Sequence, residues 1–258
     1  MTRSPWPPPS PLSPRTLVTE TWLVLGVSLG ASAVWAVLSI LRKLSQPGGL
    51  ADQTTAMNTP FVDSPTWDLV YQLTSIVLVL VPVALALHLL GRDVAHPARV
   101  IGFDRARPGF DLALGTGLTA AIGIPGLALY LVAREIGLNT TVAAANLDAY
   151  WWTVPVLILL AIKNAVLEEV LMVGYLLTRW GQAGWRKWTA IGLSALIRGA
   201  YHLYQGFGGF VGNIIMGVVF GWLFTRTRRT MPLVVAHTLL DVVAFVGYAL
   251  VAPRVGWL

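Results

Sequence analysis

Apolar residues run in long blocks along this chain, with polar residues confined to the gaps between them. The blocks cover roughly 17–41, 66–90, 110–133, 150–178, 187–204, 209–225 and 231–252. About 20 apolar residues at 1.5 Å rise cross the hydrocarbon core of a bilayer. In lipid every backbone N–H and C=O must be satisfied within its own segment, which a helix does. The pattern therefore predicts an all-α polytopic bundle of about seven transmembrane helices. The gaps at 42–65, 91–109 and 134–149 read as loops, rich in Gly, Pro, Asn, Asp or Arg. Residues 1–15 carry six prolines and four Ser or Thr, which predicts a disordered, polyproline-like tail. Residues 16–258 are then one membrane domain. Ala31-Ser32-Ala33 resembles a signal-peptidase site, but the apolar run continues through Val34 to Leu38, so the first block is read as an uncleaved span.

The third block contains Gly115, Gly117, Gly123, Pro125 and Gly126, which predicts close helix packing or a kink. Gly217 and Gly221 form a small-residue pair in the sixth. Asn213, in the same block, is expected to hydrogen bond across helices. Lys and Arg concentrate in the tail and in the 91–109, 179–187 and 226–229 segments, so these ends are expected in the cytoplasm, with the N-terminus. A bacterial plasma membrane is the expected location.

Composition supports this reading. Of 258 residues, 55% are hydrophobic and only 12% charged, about half the charged fraction of a soluble domain. The net charge of +6 is what short basic loops produce and gives no reason to expect nucleic acid. The chain has no cysteine, which excludes disulfides, thiolate metal sites and cysteine nucleophiles.

Candidate chemistry comes from charges placed where lipid should be. The last four blocks hold Lys163, Glu168, Glu169, Arg198, His202, His237 and Asp241, with Asn164 and Asn213 beside them. At about 2.5–3.5 kcal/mol each, these seven ionisable groups would cost roughly 20 kcal/mol if each stood alone in lipid. They are expected to converge on a protein-lined polar cavity. Arg198/His202 and His237/Asp241 are each four residues apart and share a helix face. Glu168 and Glu169 point about 100° apart, so one can face the cavity while the other braces a neighbouring helix. Lys163 reads as a neutralising partner. Two histidines and a carboxylate can hold a divalent metal. Alternatively, a carboxylate can act as general base on water while histidines polarise a carbonyl. Both assignments give hydrolysis.

Three short segments, in order, resemble the motifs of the CPBP family, the CAAX-protease and bacteriocin-processing intramembrane peptidases. Glu168-Glu169-Val170-Leu171-Met172-Val173-Gly174 is similar to the first, Glu-Glu followed by three residues, Arg and Gly. Arg198-Gly199-Ala200-Tyr201-His202 is similar to the second, Phe followed by three residues and His. His237-Thr238-Leu239-Leu240-Asp241 is similar to the third, His followed by three residues and Asn or Asp. The resemblance covers about 150–245 and implies a membrane endopeptidase acting on a membrane-associated peptide or protein. It implies Glu168 and His202 as activators of water, His237 and Asp241 on the oxyanion, and Glu169 and Arg198 in support. In another form the same resemblance implies a zinc ion held by Glu168, His202 and His237. Substrates in the eukaryotic branch are prenylated C-terminal peptides, and some bacterial members serve bacteriocin maturation or self-immunity.

Two positions depart from the motifs: Val173 stands where the family has Arg, and Arg198 where it has Phe. If the exchange is compensatory, the Arg198 guanidinium should lie within about 6 Å of a glutamate, because an unpaired buried cation is very costly. Without that pairing the alternative is a degenerate scaffold for self-immunity or partner binding. A proton-coupled transporter is a further alternative, although the chain shows no internal repeat. Counted from the cytoplasmic helix ends, Glu168, His202 and His237 lie at about 15, 22 and 9 Å. Convergence therefore requires offset helices or different helix ends.

Overall fold

A computed structural model describes residues 7–251. It contains α1 (Pro14–Gly26), α2 (Leu29–Leu44), α3 (Pro65–Val79), α4 (Val81–Gly91), a short α5 (Pro97–Val100), α6 (Pro108–Glu135), α7 (Thr153–Glu168), α8 (Leu176–Gln182), α9 (Lys187–His202), α10 (Phe207–Thr227) and α11 (Met231–Val251). Proline occupies the first turn of α1, α3, α4, α5 and α6, where its missing N–H has no helical partner to lose. Ser13 caps α1 by accepting from the Thr16 N–H.

The fold is a polytopic membrane helix bundle. Among the described residues, four helical stretches are long and apolar enough to cross a bilayer: Pro65–Gly91, Pro108–Glu135, Phe207–Thr227 and Met231–Val251. A fifth forms if α1 and α2, bent by 54° at Val27–Ser28, count as one span. The expected count of seven is therefore not confirmed. The block at 150–178 is instead α7, a π-helical segment Glu169–Tyr175 and α8 in continuous succession. Every residue from Leu167 to Trp180 in that succession is buried. The block at 187–204 becomes α9, whose 16 residues end at His202.

Of the expected proline-rich tail, residues 1–6 lie outside the described residues. Pro7 and Pro8 touch the bundle beside Gly181 and Gln182. The Pro8 carbonyl accepts from Gln182 Nε2 at 3.0 Å, and Pro14 already belongs to α1.

The helix ends sort into two groups. At the basic end, Thr230 N–H donates to the Ile101 carbonyl, Arg229 pairs with Asp104 and Asp111, and Arg179 pairs with Asp93. At the opposite end, the loops at 42–65 and 134–149 fold into a small cap. There β1 (Thr54–Ala56) and β2 (Thr141–Ala143) pair in parallel, Thr55 opposite Val142. Lys43 enters from α2 and donates to Thr55 Oγ1 and to the Tyr204 carbonyl, at 2.5 and 2.6 Å. Gly206 turns the chain from the 3-10 turn Leu203–Gln205 into α10 with φ of 123°. A Cβ there would lie 2.6 Å from Asn139, so the cap's approach requires glycine.

Glycines set the helix crossings around the core. A Cβ on Gly115 would meet Val235 at 2.5 Å, and one on Gly123 would meet Leu240 at 2.8 Å, so α6 lies close on α11. A Cβ on Gly217 would come within 2.9 Å of Ala195, bringing α10 onto α9. Gly117 and Gly126 face open space and do not serve packing. Asn213 donates to the Gly209 carbonyl one turn back in its own helix, not across helices as expected. The local carbonyl is the nearer acceptor in a lipid-facing setting.

Candidate active site

The polar residues from α7, the π segment, α9 and α11 meet in the interior. The π segment widens the helix directly after Glu168. Such segments recur at functional sites because they re-aim side chains within a helix. Here Glu168 and Glu169 straddle the α-to-π boundary, share Arg198 and differ in their other partner, Tyr201 for Glu168 and His237 for Glu169. Glu168 Oε2 accepts from the Tyr201 hydroxyl at 2.7 Å and lies 3.7 Å from the Arg198 guanidinium. Glu169 Oε1 accepts from Arg198 Nη2 at 2.5 Å and pairs with His237 Nδ1 at 2.7 Å. Asn164 Nδ2 donates to Asp241 Oδ2 at 3.1 Å, and Asp241 Oδ1 is 3.7 Å from His237 Nε2.

Arg198 therefore reaches both glutamates, well inside 6 Å, and the cation missing at Val173 is supplied from the neighbouring helix. Val173 itself is buried in the hydrophobic core. Lys163 is half-buried and within electrostatic range of Glu168 and Asp241 without forming a close ion pair.

The site has a closed and an open side. Arg198 and Glu169 are at most 1% exposed, Glu168 is 8% exposed, and His202 and Asp241 are only half-buried. A molecule entering the site meets His202, Asp241 and one face of Glu168 first.

The hydrogen bonds also fix tautomers. His202 Nδ1 lies 3.0 Å from the Arg198 carbonyl, which can only accept, so Nδ1 carries a proton and Nε2 is left to act. The Glu169 carboxylate does the same for His237.

Helix ends explain how groups at unequal nominal depths meet. The helix bearing Glu168 continues to Gln182 instead of stopping at 178, which puts Glu168 about 21 Å from that end, close to His202. His237 remains near the start of α11. That start is drawn inward because Arg229 and Thr230 are buried and Thr230 is bonded to Ile101.

The expected metal set of Glu168, His202 and His237 is not gathered. Among the described residues, the donor atoms lying within 4.8 Å of one another belong to Glu168, Glu169 and His237. Glu169 Oε1 is already shared by Arg198 and His237. A divalent ion on that set would sit against the guanidinium, and like charges at such range repel strongly in a low-dielectric interior. These residues do not fit a resident divalent ion.

Tyr201 is the contact that sequence reasoning missed. A tyrosine buried in a membrane helix needs a partner for its hydroxyl, and its place beside the motif histidine was the available signal.

Carboxylates, imidazoles and a guanidinium thus meet in the interior of the helix bundle. A family model described as Rce1-like, type II CAAX prenyl endopeptidase Rce1-like, matches residues 150–243. That segment carries all three motifs, so this part of the chain is similar to the CAAX-type membrane peptidases. No curated protein and no solved structure matches the chain.

Proposed function

We propose that the chain is an intramembrane peptidase that hydrolyses a peptide bond of a membrane-associated substrate with water activated by Glu168. The observation that carries this reading is the spacing of donor atoms on Glu168 and His237, within 4.8 Å of each other. Groups so spaced can both hydrogen bond a single water molecule.

Glu168 takes a proton from that water as its oxygen bonds to the scissile carbonyl carbon. The Tyr201 hydroxyl holds Oε2, which leaves Oε1 for the water. His202, anchored through Nδ1, offers Nε2 from the open side as partner to Glu168. His237 is flanked by Glu169 and Asp241, one at each ring nitrogen. The 3.7 Å from Nε2 to Asp241 is beyond hydrogen-bond length, so Nε2–H remains a donor for the developing oxyanion. Asp241 acts on His237 and not on the oxyanion itself, because a carboxylate there would repel the new charge. The proton held by Glu168 then passes to the departing amine as the C–N bond breaks. Arg198 offsets the negative charge of the glutamate pair, which supports an intact site over a degenerate scaffold.

The family description names prenyl CAAX substrates, so a lipidated C-terminal peptide is the first substrate class to try. The basic end is assigned to the cytoplasm of a bacterial cell, following the Lys and Arg distribution. The test is cleavage of membrane-anchored reporter peptides, prenylated and unprenylated, by protein reconstituted in vesicles. Glu168→Gln should lower turnover by at least about a thousandfold while leaving the melting temperature near that of the wild type. Turnover retained in that variant rejects the assignment.

A further inference from the structure

At the basic end, α8, the first turn of α9 and the last turn of α10 surround a cavity of about 540 Å3, closed on one side by Pro7. Its apolar wall includes Leu177, Ala190 and Ile191, and its rim carries Lys187, Arg226 and Arg228. No acidic residue lines it.

That absence sets the cavity apart from the rest of this end, where cations are matched. Arg92 pairs with Glu20, Arg179 with Asp93, and Arg229 with Asp104 and Asp111. Lys187 and Arg226 have no carboxylate partner among the described residues. They lie instead over indole rings, Lys187 at 5.1 Å from Trp188 and Arg226 at 5.5 Å from Trp222. Trp185, stacked on Trp180 at 4.9 Å, adds an aromatic wall. Tryptophans at this level mark the headgroup region of a bilayer. The α9 N-terminus adds positive character, having neither an acidic residue in its first turn nor a side-chain cap. The concavity is thus cationic at its mouth, apolar on its inner wall, and located where headgroups lie.

We propose that this cavity binds the phosphate headgroup of an anionic phospholipid from the adjacent leaflet, with Lys187 and Arg226 on the phosphate and the acyl chains along the apolar wall. Basic pockets between transmembrane helices recognise such headgroups through charge at close range. A soluble anion would have no use for the apolar wall. The site also has leverage on the interior, because α9 begins here and carries Arg198 and His202 along its length, while α8 leads directly into the segment bearing Glu169.

The test uses the full chain in zwitterionic detergent, titrated with phosphatidylglycerol or phosphatidylcholine and read by native mass spectrometry. Wild-type protein should retain phosphatidylglycerol and not phosphatidylcholine. Lys187→Gln and Arg226→Gln, both at exposed positions, should each weaken retention roughly fivefold. Arg105→Gln, an exposed arginine at the same end, should leave retention unchanged. Equal retention of the two lipids overturns the proposal. So does an Arg105 effect as large as that of Lys187, which would mean diffuse surface charge. Complete displacement by millimolar inorganic phosphate also overturns it, since the occupant would then be a soluble anion. Melting temperatures in lipid-free detergent should match wild type for all three variants.

Discussion

Arginine is buried against carboxylates at two depths in this molecule. At the basic end, Arg229 donates through Nε and Nη2 to both oxygens of Asp111, each at 2.7 Å, and through Nη2 to the side chain and carbonyl of Asp104. At the centre, Arg198 makes one short contact to Glu169, and among the described residues neither its Nη1 nor Glu169 Oε2 has a hydrogen-bond partner. The first arrangement is a closed fork-to-fork pair that fixes a turn between α10 and α11. The second is unfinished. It balances charge around Glu168 and His237 while leaving polar capacity unused beside the half-buried His202 and Asp241. Incomplete pairing alone does not mark the site, since among the described residues Arg179 Nε and Asp93 Oδ1 at the basic end also lack partners; what sets Arg198 apart is its place beside Glu168 and Glu169.

Substitutions can break or sharpen this contrast. The largest effect on folding is expected from Arg198→Phe, which restores the family residue but strands Glu169 without its cation. It should cost about 3–5 kcal/mol in unfolding experiments. Adding Val173→Arg should recover more than half of that loss, because the cation returns on the other helix. No recovery in the double variant would mean that Arg198 does not stand in for the missing arginine.

Asp111→Ala comes next. It leaves Arg229 with Asp104 alone and should cost about 2 kcal/mol. Turnover per folded molecule should hold near wild type, and a selective loss of turnover would erase the distinction between the two pairs. Tyr201→Phe removes the hydroxyl that holds Glu168 Oε2. It should lower kcat about tenfold with KM unchanged, the size of one lost hydrogen bond in the transition state. A change in KM alone would give Tyr201 to substrate binding.

The smallest effect concerns pH. Burial alone would raise the Asp104 carboxyl, but the Ala106 N–H and the Arg229 guanidinium outweigh it and hold the group below its usual range. A carboxyl lowered on folding stabilises the protein above its unfolded value, near pH 4, and that contribution is lost as pH falls through the folded value. Asp104→Asn should therefore remove under about 1 kcal/mol at neutral pH and flatten the melting-temperature decline below pH 4. An unchanged acid slope would show that the pair adds nothing to stability.

Much of this was legible along the chain. Apolar blocks predict helices because lipid leaves the backbone no other way to satisfy its hydrogen bonds. Buried charges predict convergence because isolation in lipid costs too much. The four-residue spacings placed Arg198 with His202 and His237 with Asp241. Other features depended on contacts that no local pattern encodes. The interval 150–178 looked like a span, yet it forms a largely buried element in which a π segment begins at Glu169. The partners Tyr201–Glu168, Arg198–Glu169 and Glu169–His237 come from elements 29 to 68 residues apart. Residue order alone thus determined a membrane bundle with reactive groups at depth. The tertiary structure decided which carboxylate holds the arginine closely and which is held by Tyr201, because that choice depends on helix offset and rotation, quantities set by packing between segments and not by any one of them.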